Sequence, residues 1–308
     1  MQSRSLRHFL AVVEKRNITA AADSLNISQP ALTRSIRQLE KTIGVDLFER
    51  LPTGVVLTRH GEVLAQRAKL MDLEYKHALA EIKALEQGLT GTLQIGAGPV
   101  WITDILPAAV AQFSAQFPRV KIRLISGTID TLVPALMAGD LDIVCSTLAF
   151  PSQPEIVMEP LINIRHSVIA RASHPLANRG MATAQDLATY PWLVLANDNV
   201  GTSRISSYFV ANGIEPPTIA VETTSIGIIK ILEKGDFLAH IPERMLSDAN
   251  KFGLLSIPHE GTFWESEAGM TYRRTNRPVR AAESFKTMLR QSLAGNPPKT
   301  PENPRRKR

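Results

Sequence analysis

The chain has 308 residues, 44% of them hydrophobic and 21% charged, which is enough for two domains with separate cores and excludes wholesale disorder. No apolar run approaches the roughly 20 residues of a membrane-spanning helix, and the N-terminus has no export signal, so we expect a cytoplasmic protein without a membrane partner. The net charge of +6 is concentrated at the two ends, since residues 1–58 carry +3 and residues 296–308 carry +4. Both ends are suited to contact a polyanion, whereas residues 91–295 are nearly neutral.

Three short helices are predicted at the start of the chain. Apolar residues from Leu6 to Val13 recur with the i, i+3, i+4, i+7 spacing of one helix face. The alanine-rich segment ITAAADSL predicts a second helix, and Asn26 after it tolerates the left-handed conformation of a tight turn. Ser28 is a good N-cap for a third helix, and Gly44 is suited to end it.

The third helix has two contrasting faces. Its apolar stripe, which predicts packing against the other two helices, consists of Leu32, Ile36, Leu39 and Ile43. The residues that point nearly opposite to that stripe are Pro30, Arg34, Arg37 and Lys41. A helix docked in this way leaves its polar face free for the DNA major groove, where Gln29 can pair with adenine and Arg34 can reach guanine or a phosphate.

A small hairpin and a long helix are predicted next. The segment LFERLPTGVVLT contains two β-like pieces around Pro52-Thr53-Gly54, which predicts a wing. Thr58 can cap a helix that continues to Gln87 and whose apolar residues alternate spacings of four and three. These residues are Leu64, Ala68, Met71, Tyr75, Ala78, Ile82, Leu85 and Leu89. Such a 3.5-residue repeat is typical of a helix that packs along a partner helix, and the alternative is a core helix within one chain.

Strand-like and helical segments alternate beyond Gly88 and Gly91, which mark a domain boundary. The strand-like runs are TLQIGAG, KIRLISG, DIVCST, HSVIARA, WLVLAN, TIAVETT, FLAHIP and LLSIP. Helices are predicted after Thr103, Thr128, Thr202 and Ser225. This alternation indicates α/β layers with mostly parallel strands.

Motifs of enzymes and metal sites are missing from the sequence. It contains no phosphate loop, no GxSxG, no HExxH and no paired CxxC, and GAGPVW lacks the third glycine of a dinucleotide fingerprint. The seven histidines are scattered, and surface or hydrogen-bonded positions are expected for His166 and His174. We therefore predict no catalytic residues, no metal and no cofactor.

Residues 3–65 resemble the DNA-binding region of LysR-type transcriptional regulators. The resemblance is carried by Ala20-Ala21-Ala22, Leu25, Ser28-Gln29-Pro30-Ala31, Ile36, Leu39-Glu40, Gly44, Leu47-Phe48-Glu49-Arg50, Leu57-Thr58 and Gly61. It is less specific over the rest of the chain, where it is carried by MAGDLDIV, SHPLA, PWLVL, GTS and FLAHIPERML. The resemblance implies an all-α winged helix-turn-helix followed by an α/β effector domain.

The resemblance also implies which residues contact DNA and how the protein assembles. The expected DNA contacts are Ser28, Gln29, Pro30, Ala31, Thr33, Arg34 and Arg37 on the third helix, with Arg50 at the base of the wing. The long helix matches the family's dimerisation helix, and such proteins usually assemble as tetramers on DNA. Relatives often carry more basic residues in the wing than Leu51-Pro52-Thr53-Gly54 provides.

The second half is similar to the family's effector domain, which has the fold of periplasmic binding proteins. Two α/β subdomains are implied, the first from residues 92–161 with 267–293 and the second from residues 162–266. The ligand is expected in a cleft at the carboxyl ends of strands. Candidate contacts are Gly98, Pro99, Val100, Trp101, Thr128, Thr147, Thr202 and Ser225. Each Thr or Ser is equally suited to serve only as a helix N-cap, and Trp101 to pack in the core.

The predicted organisation is a winged helix-turn-helix (1–58), a dimerisation helix (59–90), an effector-binding domain (91–295) and a basic disordered tail (296–308). We expect a regulator without catalytic activity that binds double-stranded operator DNA and responds to a small molecule, a carboxylate or a sugar. Helix N-termini in the effector domain favour the carboxylate. One alternative is a cytoplasmic small-molecule-binding protein with a helical dimerisation region and no role on DNA. The other is an enzyme built on the α/β half.

Overall fold

The computed structural model of the protein describes residues 4–51, 54–87, 89–274 and 279–295. The chain divides into two compact units, Met1–Gly88 and Leu89–Arg308. Within the described ranges, no helix is long and apolar enough to cross a membrane.

The N-terminal unit follows the predicted order of three short helices, a hairpin and a long helix. Its elements are α1 (Arg4–Lys15), α2 (Ile18–Ser24), α3 (Gln29–Ile43), β1 (Phe48–Leu51), β2 (Gly54–Leu57) and α4 (Arg59–Gln87). The core of this unit is apolar and contains Phe9, Val12, Ala21, Ala22, Leu32, Ile36, Leu47, Val55, Ala65 and Ala68. All three short helices, the hairpin and the first turns of α4 therefore share one small core.

Local signals set the helix boundaries in this unit. Asn17 caps α2 by accepting a hydrogen bond from the backbone N–H of Ala20 at 3.0 Å. Asn26 has a φ of +53° in the turn after α2, and Gly44 has a φ of +87° at the end of α3. The predicted left-handed turn and glycine C-cap are both confirmed.

One member of the predicted apolar stripe of α3 lies outside the core. Leu32 and Ile36 are buried and Leu39 is half-buried, as the spacing predicts. Ile43 is 45% exposed, because it occupies the last helical position, beyond the turns of α3 that pack against the core. The prediction of a buried Ile43 was wrong.

The C-terminal unit alternates strands and helices. Its elements are β3 (Gly91–Ala97), a π-helical turn (Trp101–Ile105), α5 (Leu106–Gln116), β4 (Val120–Ser126), α6 (Ile129–Ala138), β5 (Ile143–Thr147), β6 (Ile156–Arg171), α7 (Ala184–Ala188), β7 (Trp192–Leu195), α8 (Asn199–Ala211), β8 (Ile219–Thr223), α9 (Ser225–Leu232), β9 (Ala239–Pro242), a 3₁₀ turn (Glu243–Met245), α10 (Leu246–Asn250), β10 (Leu254–Ser256), β11 (Trp264–Arg273) and α11 (Arg280–Gly295).

The expectation of mostly parallel strands was wrong for the main sheet. Its order is β10-β6-β11-β5-β3-β4, with β9 also paired to β6. Strand β3 runs parallel to β4 and β5, but β6 and β11 run antiparallel to each other and to their other neighbours. The sequence predicted only the second half of β6 and missed β11, because both strands mix polar and apolar residues along half-exposed faces.

The long strands β6 and β11 run through two separate cores. Ile164 and Met270 pack with α5 and α11 in the first core. Farther along the same strands, Val168 and Trp264 pack with Trp192 in the second core. The unit is thus two α/β subdomains joined by two continuous strands.

Candidate functional site

Helix α3 presents a polar face to solvent. Of the predicted DNA contacts on this helix, the exposed ones are Ser28, Gln29, Pro30, Arg34 and Arg37, and the half-buried ones are Ala31 and Thr33. The opposite face of the helix is buried through Leu32 and Ile36. The structure therefore brings these seven residues together on one side of the helix, with both arginines free to reach outward.

The rest of the N-terminal unit holds α3 in a fixed position. The Nδ1 atom of His8 lies 2.8 Å from the Ser35 hydroxyl and links α1 to α3. The Oε1 atom of Glu40 accepts hydrogen bonds from the backbone N–H groups of Leu47 at 2.9 Å and Phe48 at 3.3 Å. These bonds tie the start of the hairpin to α3, so the helix cannot turn about its axis without breaking them.

Ser28 occupies the N-cap position of α3, but its hydroxyl makes no capping hydrogen bond. The capping position was predicted and is confirmed; the hydrogen bond that normally accompanies it is missing. Gln29 donates a hydrogen bond to the Thr33 hydroxyl at 3.3 Å, one helical turn away. The side chain of Arg50 and the wing residues 52–53 lie outside the described residues, so the predicted wing contact stays a prediction.

Helix α4 changes character along its length. Ala68, the second member of the predicted repeat, is fully buried in the core of its own unit. Beyond it four large apolar side chains are exposed: Met71 by 55%, Tyr75 by 41% and Ile82 by 57%, all in the predicted repeat, and Leu79 by 43%, which the repeat did not include. We call these four residues the α4 stripe. The Leu85 side chain lies outside the described residues. A stripe of this kind in water is what a partner helix would cover.

A cavity of about 120 Å³ lies between the two subdomains of the C-terminal unit. We call it the inter-subdomain cavity. Seven of the eight predicted effector contacts line it: Gly98, Pro99, Val100, Trp101, Thr128, Thr147 and Ser225. The remaining wall is largely apolar and includes Ile129, Ile164, Ile228 and Ile241. The location expected from the ends of parallel strands is thus where the chain forms a cavity.

Thr202 is the exception among the predicted effector contacts. Helix α8 begins at Asn199, and Asp198 is its N-cap, accepting a hydrogen bond from the backbone N–H of Gly201 at 2.9 Å. The Thr202 hydroxyl donates to the carbonyl of Asp198 at 2.9 Å and does not line the cavity. The prediction that Thr202 opens a helix was wrong, because an earlier Asp caps the same helix.

The N-terminus of α9 is displaced by one residue from its predicted position. Thr224 is the N-cap and accepts a hydrogen bond from the backbone N–H of Gly227 at 3.3 Å. Ser225 is the first helical residue and lines the cavity. Thr128 is the N-cap of α6, as predicted, and also lines the cavity. The helices α6 and α9 therefore both begin at the cavity wall.

Aromatic groups that the sequence did not indicate complete the wall. Trp264 stacks on His166 with ring centroids 3.9 Å apart, and the Nδ1 atoms of His166 and His240 are 3.0 Å apart. Burial lowers the pKa of His240 to about 4, and burial with the neighbouring His240 holds the pKa of His166 well below its ordinary value. His166 was expected at the surface or hydrogen-bonded; it is hydrogen-bonded, and it faces the cavity.

Contacts between the subdomains flank the cavity. The Thr128 hydroxyl donates to the carbonyl of Asn197, and Asp130 accepts from the backbone N–H of Asn199 at 2.9 Å. Asp198 lies between these contacts and lines the cavity, and burial raises the pKa of its carboxyl group despite the opposing hydrogen bond from Gly201. These hydrogen bonds join the start of α6 to the start of α8 at one side of the cavity.

Comparison with known families identifies both units. Residues 3–62 match the bacterial regulatory helix-turn-helix protein of the lysR family, and residues 86–294 match the LysR substrate binding domain. The chain belongs to the LysR family of transcription regulators. It is a ligand-responsive, DNA-binding regulator, as the resemblance implied.

Similar proteins cover nearly the whole chain. The transcriptional regulator PcaQ of Agrobacterium fabrum is 29% identical over 278 residues, which is 89% of each protein. The SDS degradation transcriptional activation protein of a Pseudomonas species is 29% identical over 96% of this chain and 97% of its own. CbnR in complex with its target DNA superposes with a TM-score of 0.68, at 22% identity, over 95% of this chain and all of CbnR. A full-length BenM variant superposes with a TM-score of 0.55, at 25% identity, over 96% and 97%.

Proposed function

We propose that α3 reads operator DNA through Ser28, Gln29, Pro30, Ala31, Thr33, Arg34 and Arg37, with Arg50 beside it on the wing. The single observation that carries this proposal is the exposed polar face of a helix whose other face is buried. Arg34 and Arg37 are suited to guanine or phosphate, and Gln29 to adenine. Because these three side chains are already exposed, they can enter the major groove without a rearrangement of the protein.

Replacing Arg34 by Ala tests the DNA-reading face. We expect operator binding to weaken by about 1–3 kcal/mol at fixed salt, with unchanged circular dichroism. Arg67→Ala, an exposed arginine on α4, is the matched control and should change operator affinity less. Equal affinities of the wild type and Arg34→Ala would remove Arg34 from the interface.

We propose that the effector binds in the inter-subdomain cavity. The support is that seven residues chosen from the sequence meet there, two of them, Thr128 and Ser225, at the N-termini of α6 and α9. Of the two predicted ligand types, the N-termini of α6 and α9 favour a carboxylate, whereas the carboxyl groups of Asp198 and Asp248, which also line the cavity, oppose an anion. A sugar needs several polar partners around it, whereas most of this wall is apolar.

A cavity-filling variant tests this location. Ser225→Phe should place a ring in the cavity and abolish effector binding, measured by calorimetry with a ligand found by thermal-shift screening. DNA affinity without effector should persist, because Ser225 belongs to the other unit. Thr202→Ala is the matched control, since it lies outside the cavity wall. Wild-type effector affinity in Ser225→Phe would place the site elsewhere.

We propose that two copies pair through the α4 stripe and that dimers assemble into tetramers on DNA. The exposed Met71, Tyr75, Leu79 and Ile82 support pairing. The functional divisions proposed are a DNA-binding domain (1–58), a dimerisation helix (59–90), an effector domain (91–295) and a tail (296–308) that lies outside the described residues. We further propose that the protein acts in the cytoplasm, where its operator would be, and that it catalyses no reaction.

A further inference from the structure

The loop between β7 and α8 contacts both the other subdomain and the inter-subdomain cavity. The carbonyl of Asn197 accepts a hydrogen bond from the Thr128 hydroxyl. The backbone N–H of Asn199 donates to the carboxylate of Asp130 at 2.9 Å. We call these two hydrogen bonds the α6–α8 contact. Asp198, the residue between the two asparagines, lines the cavity. A change at Asp198 therefore acts directly on the contact between the subdomains.

The backbone of this loop holds Asp198 in place. Asn197 has a φ of +58°, which is uncommon for a residue other than glycine. Residues held in such conformations are frequent at ligand clamps and switch regions. The Oδ1 atom of Asp198 accepts a hydrogen bond from the backbone N–H of Gly201 at 2.9 Å and caps α8. Turning the carboxyl group away from this position would break the cap.

Two carboxylates of like charge meet at the α6–α8 contact, Asp130 from α6 and Asp198 from the loop. Burial raises the pKa of the Asp198 carboxyl group, and Asp130 raises it further, against the lowering effect of the hydrogen bond from Gly201. Opening the contact would move Asp198 away from Asp130 and return its carboxyl group to water. The ionised form of Asp198 therefore favours the open contact, and the protonated form favours the closed one.

Other groups in the cavity wall do not neutralise Asp198. No lysine or arginine among the described residues lines the cavity. His166 and His240 line it, but burial lowers the pKa of both, so they are neutral at pH 7. Asp248 also lines the cavity, and its carboxylate is paired with Lys251 at 2.6 Å. The negative charge of Asp198 thus has no counter-ion in this wall.

We propose that the charge on Asp198 controls how tightly the two subdomains contact each other. Ionised Asp198 repels Asp130 across the boundary and weakens the α6–α8 contact. A proton on Asp198, or a cationic group of a ligand in the cavity, removes this repulsion and tightens the contact. The device regulates the proposed effector site, so its relevance to the effector rests on the proposed function.

The direction of the pH dependence follows from the raised pKa. An aspartate ordinarily titrates near pH 3.8, and Asp198 titrates above that value. The cost of its charge in the closed contact is present at pH 7, decreases as the pH falls through the raised pKa, and is absent below the ordinary pKa. The α6–α8 contact should therefore tighten on acidification. The buried histidines act in the opposite direction, because they bind protons more readily when the chain unfolds.

Asp198→Asn tests the proposal in the full-length protein without any ligand. Asn caps helices about as well as Asp, so the variant removes the charge and keeps the cap of α8. Amide hydrogen exchange, resolved to single residues by mass spectrometry, gives the protection factor of the Asn199 N–H. At pH 7 we expect Asp198→Asn to raise this factor about 3- to 10-fold. The Gly201 N–H, which reports the cap, should stay within about 2-fold of the wild type.

Asp248→Asn is the matched control, because it removes a charge from the cavity wall but not from the α6–α8 contact. Its Asn199 protection should equal that of the wild type. Between pH 7 and about pH 5.5, wild-type protection should move towards that of Asp198→Asn, which should itself stay flat. Unchanged protection in Asp198→Asn, an equal gain in Asp248→Asn, or a pH dependence that persists in Asp198→Asn would each overturn the proposal. These outcomes leave the location of the effector open to its own test with Ser225→Phe.

Discussion

The two units of this regulator differ in where their candidate binding residues lie. In the N-terminal unit, the candidate contacts are exposed polar side chains on one face of α3, and the core only supports them. In the C-terminal unit, the candidate contacts form the wall of the inter-subdomain cavity, and some of them also belong to the core. Trp101 illustrates the second case, since it packs in the first core and lines the cavity.

This difference determines how mutations should act in each unit. Removing a side chain from the exposed face of α3 subtracts a contact and leaves the core intact. Removing one from the cavity wall changes ligand binding and folding together, because the same atoms serve both. Experiments that separate stability from binding are therefore most informative when they are run in matched pairs, one member in each unit.

The largest expected effects come from substituting two glycines, one in each unit. A Cβ on Gly61 would overlap the carbonyl oxygen of Leu47, where the first turn of α4 lies against the residue that precedes the hairpin. A Cβ on Gly269 would overlap the carbonyl oxygen of Glu159, where β11 changes register against β6. Gly61→Ala and Gly269→Ala should each lower the free energy of unfolding by about 3 kcal/mol or more. Urea unfolding measures the loss of stability in each variant. Operator binding and effector binding, each measured on the folded protein, show which unit is affected.

Each glycine variant should impair only its own unit. Gly61→Ala should lose operator binding and keep effector binding, and Gly269→Ala should do the reverse at low temperature. Gly98→Ala is the control for stability, because its added Cβ would meet only ordinary van der Waals contacts at 3.8–3.9 Å. Simultaneous loss of both activities in either variant would contradict the independence of the two cores.

The sequence predicted the N-terminal unit more completely than the C-terminal unit, for a physical reason. Asn17, Asn26 and Gly44 act on their immediate neighbours, so helices and turns follow from local spacing. The antiparallel pairing of β6 and β11 joins residues about a hundred positions apart, and no local pattern reveals it. Cavity groups on those strands, such as His166 and Trp264, were therefore missed, whereas the strand ends and the helix N-termini were found.

The second prediction concerns acid sensitivity of the C-terminal unit. A histidine in an unfolded chain titrates near pH 6.5, whereas burial lowers the pKa of His240 to about 4. Below pH 6.5 the unfolded state binds more protons, so stability is complete above that pH and is lost as the pH falls towards 4. His240 alone should contribute a loss of about 3 kcal/mol by pH 4. His166, whose pKa is also lowered, acts in the same direction.

Urea unfolding of the full-length protein from pH 7 to pH 4 measures this loss. His240→Gln should flatten the pH dependence, because glutamine does not titrate. His60→Gln, at an exposed position on α4, is the matched control and should retain the wild-type slope. An unchanged slope in His240→Gln would show that other groups cause the acid sensitivity.

The third prediction addresses assembly, which links the two copies of the DNA-reading unit. Replacing Met71 and Ile82 by Glu puts two charges into the α4 stripe and should lower the oligomeric state. Operator affinity should fall by about 10- to 100-fold, because two half-sites need two readers at a fixed spacing. Light scattering and gel shift measure these effects. Lys69→Glu, at an exposed position of the same helix outside the stripe, lowers the net charge by the same amount and is the matched control. An intact oligomer in the Met71 and Ile82 variant would exclude the stripe as the interface.

The smallest expected effect distinguishes a structural capping side chain from a functional one within the N-terminal unit. Asn17 and Ser28 are both N-caps, but only the Asn17 side chain makes a capping hydrogen bond. Asn17→Ala should therefore destabilise the protein by about 1 kcal/mol, whereas Ser28→Ala should change stability by only a few tenths. Operator affinity should follow the opposite order, with Ser28→Ala binding the operator more weakly than Asn17→Ala. The reason is that the Ser28 hydroxyl is exposed at the start of α3 and makes no capping hydrogen bond. Thermal unfolding and gel shift of both variants at one salt concentration measure the two orders. If Ser28→Ala proved the more destabilising and the less harmful to operator binding, its hydroxyl would be a cap and no DNA contact.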